Sequence, residues 1–253
     1  MLLENRVAFI TGAGSGIGAA GAKELARQGA TVVVTDRDSD AAQDLANTIT
    51  KEGYVADALQ LDVTNDAAIA SAIAETARKH GRLDVLHSHA GIQVEGKLEQ
   101  VAVADMDASW ALNVRAHFVA AKAALAPMRK QGGGSVIITS SNSGVFYDHE
   151  MIAYSTTKHA VIAMTRQMAI DYGKHTVRFN ALCPGWVDTP FNEPYIKQMG
   201  GRKVIEKYVQ EHIPMGRWAE PGEIAEGILF LASDRSSFMT GHALVIDGGE
   251  CIF

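Results

Sequence analysis

The chain has 253 residues, of which 47% are hydrophobic, and it carries a formal net charge of −6 at pH 7. This size and composition predict one large α/β domain, and a negative chain without a basic run argues against nucleic-acid binding. No apolar run reaches the length of a membrane span, and the sequence enters its first strand too early for a signal peptide, so we expect a cytoplasmic protein that does not bind membranes.

A glycine-rich loop follows the first predicted strand. Residues 6–11 form a short apolar run, and the sequence then passes Gly12, Gly16 and Gly18 before a helical stretch that ends near Gly29. Gly12 permits a tight turn, Gly16 lets the backbone approach a diphosphate, and Gly18 lets the helix pack closely on the strand. The free N–H groups and positive dipole end of the helix favour an anion, so this order predicts a dinucleotide site.

The second predicted strand, residues 31–35, ends on an acidic residue. The carboxylate of Asp36 is placed to accept hydrogen bonds from an adenosine ribose. A 2′-phosphate at the same place would meet like-charge repulsion, and we therefore expect NAD rather than NADP. Arg37 keeps NADP open, because a guanidinium directly after the strand could turn inward and accept the phosphate.

Further apolar runs predict more strands of the same sheet. Residues 136–139, 177–182 and 244–246 are nearly unbroken apolar segments with helical stretches between them. Such runs are typical of parallel strands covered on both faces, so we predict a single α/β domain over residues 1–253 with a Rossmann-type, doubly wound sheet. Ligands bind such sheets beyond the carboxyl ends of the strands. The residues that we expect at strand ends are Gly12, Asp36, Asp62, Gly91, Ser141 and Pro184.

Tyr154 and Lys158 stand four residues apart in a segment with helical periodicity. Side chains at this spacing share one helix face and lie about 6 Å apart. A fixed ammonium beside a phenol favours the phenolate, so we expect Lys158 to lower the pKa of Tyr154 from its usual value of about 10. The pair is a candidate for proton transfer, and the alternative is two unrelated side chains on the surface of an amphipathic helix.

Taken together, these motifs resemble the short-chain dehydrogenase/reductase family over nearly the whole chain. The resemblance is carried by Thr11-Gly12-x-x-x-Gly16-x-Gly18, by Asp62-Val63, by Asn113 in Leu-Asn-Val, by Ser141 thirteen residues before Tyr154, and by the segment from Pro184 to Thr189. The resemblance implies an NAD(P)-dependent oxidoreductase, and in relatives the end of the chain helps to pack homotetramers.

The resemblance also implies which residues act and which bind the cofactor. Tyr154 would exchange a proton with the substrate beside Lys158, Ser141 would hold the substrate oxygen, and Asn113 would hold a water that relays protons from Lys158. The expected cofactor-binding residues are Gly12, Ser15, Gly16, Ile17, Gly18, Asp36, Arg37, Asp62, Val63, His89, Ala90, Gly91, Tyr154, Lys158, Pro184, Gly185, Val187 and Thr189.

One segment departs from the family pattern, which has Asn-Asn-Ala-Gly where this chain has Ser88-His89-Ala90-Gly91. The small residues Ala90 and Gly91 preserve close passage of the backbone by the cofactor. His87 and His89, two apart on a strand, would point to one face and thereby invite a metal interpretation. No third ligand stands at a usual spacing, so we favour hydrogen-bonded structural histidines and expect no metal.

The substrate is indicated only by the polarity of residues near the catalytic positions. The candidate substrate residues are Gln93, Ser141, Asn142, His149, Tyr154 and Trp186, and the other polar positions nearby are Glu95, Asp148, Glu150 and Asn192. This set favours a small polar or polyhydroxylated substrate over an acyl chain or a steroid. Trp186 could form a substrate wall or a core anchor.

Two later segments have open interpretations. Residues 190–214 are a helical insertion with a possible break at Gly200-Gly201, and they would form either a lid over the substrate or a fixed cap. The apolar stripe of Ile224, Ile228 and Leu231 would pack either between subunits or inside the domain.

Three functions are compatible with the sequence. The favoured one is an NAD-dependent dehydrogenase of a secondary alcohol, with a small-molecule alcohol or ketone as its partner. The alternatives are an NADPH-dependent ketoreductase, such as a 3-ketoacyl carrier-protein reductase, and a regulator that binds NAD without catalysis.

Overall fold

The computed structural model describes residues 1–252, which form one seven-stranded parallel sheet in the order β3-β2-β1-β4-β5-β6-β7. The strands are β1 Val7–Thr11, β2 Thr31–Asp36, β3 Ala56–Gln60, β4 Val85–Ser88, β5 Gly134–Thr139, β6 Val177–Pro184 and β7 Ala243–Ile246. Every strand pair runs parallel. The predicted doubly wound α/β fold is therefore confirmed.

Nine α-helices connect the strands within the described residues. They are α1 Gly16–Arg27, α2 Ser39–Lys51, α3 Asp66–His80, α4 Val103–Trp110, α5 Ala116–Lys130, α6 Ile152–Tyr172, α7 Glu193–Gln198, α8 Arg202–His212 and α9 Pro221–Ala232. A π-helical turn, Ala111–Arg115, joins α4 to α5. None of these helices combines the length and the apolar character needed to cross a bilayer.

Helices cover both faces of the sheet and bury two separate cores. Within β1, Ala8 and Ile10 face the core formed with α1, α2 and α9, whereas Phe9 faces the core formed with α3, α5 and α6. Consecutive strand side chains point to opposite faces, so a strand buried on both sides needs apolar residues at every position. This explains the unbroken apolar runs from which the sheet was predicted.

The apolar stripe of α9 belongs to the domain core. Ile224, Ile228 and Leu231 are fully buried against α1 and the sheet in this single chain. A methyl group on Gly21 of α1 would collide with Ile228, which shows how closely the two helices pack. The apolar stripe of α9 thus packs inside the domain and does not form a subunit interface.

The insertion after β6 is helical, as predicted, and it breaks between α7 and α8. Gly200 and Gly201 at the break have φ angles of 97° and 102°, in the left-handed region that favours glycine. The two helices bury a small core of their own, consisting of Ile196, Ile205, Val209 and Ile213, with Trp186, Tyr208 and Trp218 packed against it. This core is separate from the two main cores of the domain.

The chain changes direction across the sheet between β1 and β4, which are hydrogen-bonded neighbours. From β1 the chain proceeds outward to β2 and β3, and it then returns to β4 and proceeds to the opposite edge. Loops after β1 and β4 therefore diverge and leave a crevice at the carboxyl ends of the strands. The predicted functional residues lie around this crevice.

Candidate active site

A cavity of about 660 Å³ occupies the crevice beyond the carboxyl ends of the strands. Most of the predicted site residues line it: Gly12, Ser15, Gly16, Ile17, Asp36, Arg37, Asp62, Val63, His89, Ala90, Gly91, Gln93, Ser141, Asn142, His149, Tyr154, Lys158, Pro184, Gly185, Trp186, Val187 and Thr189. Gly18 and Asn113 are not part of this lining and lie behind it. The structure thus brings together residues that are separated by up to 177 positions, from Gly12 to Thr189.

The glycine loop passes the end of β4 at a distance that excludes side chains. Gly12 has a φ angle of 64°, and a Cβ there would lie 2.8 Å from the Cα of Ala90. A Cβ on Gly18 would overlap the carbonyl oxygen of Gly12. These contacts confirm the tight turn at Gly12 and the close packing of helix on strand at Gly18, although Gly18 itself does not reach the cavity.

The backbone N–H groups in the first turn of α1 have no side-chain cap and can bind a ligand. Its N-cap residue, Ser15, makes no side-chain capping bond, and the turn contains no acidic residue. An uncapped N-terminus presents free N–H groups and the positive end of the helix dipole. With Gly16 directly beside it, this end of the cavity fits the diphosphate of a dinucleotide.

The carboxylate of Asp36 is fixed beside the glycine loop. Its Oδ2 atom accepts a hydrogen bond from the backbone N–H of Gly14 at 2.9 Å, and its Oδ1 atom accepts one from the backbone N–H of Asp38 at 3.1 Å. A carboxylate has further acceptor positions after these two bonds. The acid at the end of β2 is therefore held in place and can still accept hydrogen bonds from a ribose.

Arg37 and Asp62 form the outer part of the same end of the cavity. Hydrogen bonds from the backbone N–H and the hydroxyl of Thr64 lower the pKa of Asp62, and the positive charge of Arg37 adds to this effect. The Arg37 side chain thus lies within electrostatic range of the Asp62 carboxylate, which follows the neighbouring strand β3.

Tyr154 and Lys158 share one face of α6, as predicted. The Nζ atom of Lys158 lies 5.5 Å from the centre of the Tyr154 ring, and both side chains are buried. Lys158 also donates a hydrogen bond to the carbonyl oxygen of Thr139, at the end of β5, at 3.0 Å. The helix is thereby tied to the strand end that carries Ser141.

The predicted direction of the Tyr154 pKa shift is wrong for this structure. Burial raises the pKa of Tyr154 to about 12, the charge of Asp148 adds to the rise, and hydrogen bonding with Ser141 offsets only part of it. Burial also lowers the pKa of Lys158 to about 8. The cost of removing the phenolate from water therefore outweighs the hydrogen bond with Ser141.

The Ser141 hydroxyl is engaged with its own turn. Ser141 precedes the 3₁₀ turn Asn142–Gly144, donates to the side-chain oxygen of Asn142 at 3.2 Å, and accepts from the backbone N–H of Ser143 at 3.2 Å. Ser140 donates to the carbonyl oxygen of Lys158 at 2.9 Å. Ser140 therefore ties the end of β5 to α6, and Ser141 stabilises the turn that follows.

Asn113 lies in the π-helical turn and braces the loop after β4. Its amide nitrogen donates to the carbonyl oxygen of Ile92 at 2.9 Å and to the hydroxyl of Thr157 at 3.1 Å, and its amide oxygen accepts from the N–H of Ile92 at 2.8 Å. A Cβ on Gly91 would lie 3.1 Å from that oxygen and 3.5 Å from Lys158 Nζ. Because both amide hydrogens are used, the side chain of Asn113 positions the backbone that passes Lys158.

The comparisons with known proteins agree with this geometry. The family profile described as enoyl-(acyl carrier protein) reductase matches residues 12–250. A 2-(S)-hydroxypropyl-CoM dehydrogenase 3 from Xanthobacter autotrophicus is 38% identical over 248 residues, which are 98% of this chain and 97% of that protein. The chain belongs to the short-chain dehydrogenase/reductase family.

Solved structures of other short-chain dehydrogenase/reductases superpose along the whole chain. Levodione reductase gives a TM-score of 0.95 with 32% identity and covers 98% of each chain. A gluconate 5-dehydrogenase from Burkholderia cenocepacia, in complex with NADP and tartrate, gives a TM-score of 0.92 with 32% identity over 98% of this chain and 96% of that one. The protein is thus an NAD(P)-dependent oxidoreductase of the alcohol/ketone class.

His89, which departs from the family pattern, and the nearby His87 are hydrogen-bonded to one hydroxyl. The Nε2 atom of His87 lies 2.9 Å and the Nδ1 atom of His89 lies 3.0 Å from Oγ1 of Thr139. Burial lowers the pKa of His89 to about 4 and that of His87 well below its usual value. Among residues 1–252, no cluster of three or more His, Cys, Asp or Glu side chains could hold a metal.

The substrate end of this dehydrogenase/reductase cavity combines polar and aromatic side chains. The residues that sequence reasoning did not select there include Met151, Tyr195, Met199, Ile205 and Tyr208, whereas Asp148 and Asn192, which it noted, also line the cavity. Glu95 and Glu150 do not line the cavity, and Glu150 pairs with Lys97 at 3.4 Å. Their proximity in sequence to the catalytic residues was thus a poor guide.

Trp186 combines the two roles that the sequence left open. It lines the cavity, and its ring packs edge-on against Trp218 with 5.2 Å between the ring centres. Its Nε1 atom donates to the carboxylate of Glu250 at 3.1 Å. Glu250 is itself a residue that sequence reasoning missed, although it follows the carboxyl end of β7, where the strand-end rule used for the other strands also applies.

Proposed function

We propose that the protein transfers a hydride between NAD and a small, polar secondary alcohol or the corresponding ketone. The observation that carries the proposal is the placement of Tyr154 and Lys158, 5.5 Å apart and buried, beside Ser141 in the cavity that the glycine loop enters. A proton-exchanging phenol, a fixed ammonium and a hydroxyl together meet the needs of alcohol oxidation.

Ser141, Tyr154 and Lys158 have separate roles in the proposed reaction. The nicotinamide of the bound cofactor supplies the hydride acceptor in oxidation and the hydride donor in reduction. Ser141 holds the substrate oxygen, Tyr154 removes the hydroxyl proton as a phenolate or returns it as a phenol, and Lys158 stabilises the phenolate. Burial raises the pKa of Tyr154 to about 12, and positive charge in the cavity would favour the phenolate.

The cofactor-binding proposal rests on groups at the other end of the cavity. The uncapped first turn of α1 and the glycine loop would hold the diphosphate, and Asp36 would accept hydrogen bonds from the ribose. A 2′-phosphate would come close to the fixed Asp36 carboxylate and be repelled. This repulsion supports NAD as the preferred cofactor.

A specific observation favours a second candidate, an NADPH-dependent ketoreductase. Arg37 lines the cavity directly after Asp36, and the Burkholderia cenocepacia gluconate 5-dehydrogenase holds NADP. The guanidinium of Arg37 would accept a 2′-phosphate if it turned away from Asp62. The relative affinity for NAD and NADPH separates the two candidates.

The substrate proposal rests on the polarity of the cavity near Tyr154. Gln93, Asn142, Asp148 and His149 line that end, which favours a small polar or polyhydroxylated molecule over a long apolar one. Relatives are named for reactions of gluconate, levodione and 2-(S)-hydroxypropyl-CoM, all of which have polar carbonyl or hydroxyl groups.

The homotetramer implied by the family resemblance is also a proposal. Trp110 on α4 and Phe118 on α5 expose 41% and 49% of their surface, and both border a shallow surface depression with Met164 of α6. Exposed aromatic side chains grouped on neighbouring helices suit burial against a second subunit.

The cytoplasmic location stays a prediction from the sequence.

Replacing Tyr154 by Phe tests the catalytic assignment. The substitution removes only the proton-exchanging oxygen, so we expect turnover to fall by about 100-fold or more while the dissociation constant for NAD changes less than about twofold. Turnover is followed by absorbance of the reduced nicotinamide on a panel of polyols, sugars, hydroxy acids and cyclic alcohols. Cofactor binding is followed by fluorescence.

Tyr172→Phe provides the matched control, because Tyr172 lies on the same helix and packs against Phe179 away from the cavity. Activity of Tyr154→Phe within about tenfold of the wild type would contradict the assignment. Firm NAD binding by a wild-type protein that is inactive on the whole panel would instead favour the non-catalytic regulator.

A further inference from the structure

We propose that the buried carboxylate of Glu250 positions the hydroxyl of Ser141 through the side-chain amide of Asn142. The inference rests on the proposed function, in which Ser141 holds the substrate oxygen. Glu250 is a positioning residue, because it touches neither the catalytic tyrosine nor the open part of the cavity.

Glu250 begins the 3₁₀ turn Glu250–Ile252 after β7 and is only 7% exposed. Its Oε2 atom accepts from the amide nitrogen of Asn142 at 2.7 Å. Its Oε1 atom accepts from Trp186 Nε1 at 3.1 Å and from the Tyr208 hydroxyl at 3.3 Å. Three side chains that line the cavity, from three separate parts of the chain, are therefore held by one carboxylate.

The charge of Glu250 fixes which way the Asn142 amide faces. An ionised carboxylate can only accept hydrogen bonds, so the NH₂ group of Asn142 must point to it. The amide oxygen then faces the opposite side, where it accepts from the Ser141 hydroxyl at 3.2 Å and from the N–H of Ser143 at 2.9 Å. Asn142 and Ser143 thus hold the Ser141 oxygen in place, and Glu250 sets the orientation of Asn142. From that position the Ser141 O–H bond can rotate toward a bound substrate oxygen.

The reversed amide is unfavourable as long as the carboxylate is ionised. Turning Asn142 over would place its oxygen against the Glu250 carboxylate and its NH₂ group against the N–H of Ser143. Ser141 would lose its acceptor in that arrangement. Protonation of Glu250 removes this restriction, because a carboxylic acid can donate a hydrogen bond to the turned amide oxygen.

The surroundings of Glu250 place its ionisation near neutral pH. Burial raises its pKa to about 7, the charge of Asp148 adds to the rise, and hydrogen bonds from Trp186, Asn142 and Tyr208 oppose it. The other titratable groups that interact with Glu250 are Tyr195 of α7 and Cys251, and both have raised pKa values.

The test compares Glu250→Gln with the wild type. Gln has nearly the same shape, but its NH₂ group can face Asn142 and release the amide. We expect kcat to fall about tenfold, with less than about twofold change in NAD affinity. We also expect the wild-type kcat for ketone reduction, in which Tyr154 acts as the protonated phenol, to fall as pH decreases through about 7. This acid limb should be absent in Glu250→Gln. Glu226→Gln, at an exposed position of α9, is the matched control.

A double-mutant cycle distinguishes positioning from a general structural effect. If Glu250 acts on Ser141 through Asn142, then Glu250→Gln causes no further loss of kcat in an Asn142→Ala background. Losses of kcat that multiply in the double variant, or a kcat of Glu250→Gln equal to that of the wild type, would overturn the proposal. Turnover by the wild type that depends on Tyr154 would still support the proposed function in either case.

Tyr208→Phe gives a second test that does not alter Glu250. Removing the Tyr208 hydroxyl takes away a hydrogen bond that holds the Glu250 pKa down, so we expect the acid limb of kcat to move to higher pH. An acid limb at the same pH in Tyr208→Phe and in the wild type would contradict the role of Glu250.

Discussion

The proposed reaction needs two charged side chains where the protein excludes water. Tyr154 and Lys158 are 8% and 3% exposed, and each pKa moves toward the neutral form, to about 12 for the tyrosine and about 8 for the lysine. Burial thus disfavours the charged form of both side chains. Positive charge that bound molecules bring to Tyr154 would favour its ionised form.

At the residue scale, we expect the carboxylate of Asp36 to determine the preference for NAD over NADP. Asp36→Asn keeps an oxygen that can accept from Gly14 but removes the charge that repels a 2′-phosphate. We expect the ratio of kcat/KM for NAD to that for NADP to exceed one in the wild type and to fall about tenfold or more in the variant, which corresponds to about 1.4 kcal/mol or more.

Both ratios come from initial rates with a single alcohol substrate at saturation. Asp40→Asn is the control, because Asp40 is an exposed acid in the first turn of α2 and does not line the cavity. A wild type that prefers NADP would favour the ketoreductase candidate and identify Arg37 as the phosphate ligand.

At the scale of elements, the ends of β1, β2, β4, β5 and β6 place backbone and side chains rigidly around the cavity, while α7 and α8 cover the substrate end with a core of their own. Tyr195, Met199, Ile205 and Tyr208 from this segment line the cavity. Its hinge glycines, Gly200 and Gly201, lie at the break between the helices. These features suit a lid and are also compatible with a fixed cap.

Limited proteolysis separates the lid from the fixed cap. Lys197, Arg202 and Lys203 offer trypsin sites on both sides of the break. If the segment closes over bound ligands, saturating NAD with substrate should slow cleavage there about threefold or more, since protected backbone is cut only after local opening.

Cleavage after Lys51, at the end of α2 and distant from the segment, is the internal control for the same digest. NAD alone is tested separately, so that closure due to substrate is distinguished from closure due to cofactor. Equal cleavage rates within 193–212 with and without both ligands would favour the fixed cap.

At the scale of the whole molecule, three buried histidines couple folding to pH. Burial lowers the pKa of His89 to about 4 and holds those of His87 and His117 well below the usual value of 6.5. At pH values between the folded and the unfolded pKa of these histidines, the unfolded chain binds more protons than the folded protein does. Their contribution to stability is therefore complete above pH 6.5 and is lost as pH falls toward the folded pKa values.

His89→Asn tests this linkage with a polar side chain that does not titrate. The variant removes one histidine that must stay neutral in the folded protein. Between pH 7 and pH 5 we therefore expect the free energy of unfolding to fall by about 2 kcal/mol less in the variant than in the wild type. Urea unfolding at each pH measures the difference. The exposed His242, changed to Asn, is the control, and parallel curves for His89→Asn and the wild type would refute the linkage.

Local rules in the sequence were enough for the fold and for most of the cavity lining. The glycine loop, the acid at position 36 and the helical spacing of Tyr154 and Lys158 each depend on a few neighbouring residues, and unbroken apolar runs identify strands that are covered on both faces. The carboxyl ends of parallel strands meet at one edge, so strand order along the chain already brought Gly12 and Ser141 together.

Tertiary structure alone decided the quantities that depend on burial and on contacts between distant segments. The sign of the Tyr154 pKa shift required the extent of its burial, and the bonds of Asn113 to Ile92 required the path of the loop after β4. Glu250 meets Asn142 across 108 positions of sequence. Periodicity and spacing describe neighbours along the chain, whereas desolvation and hydrogen-bond partners are set by everything that surrounds a group in space.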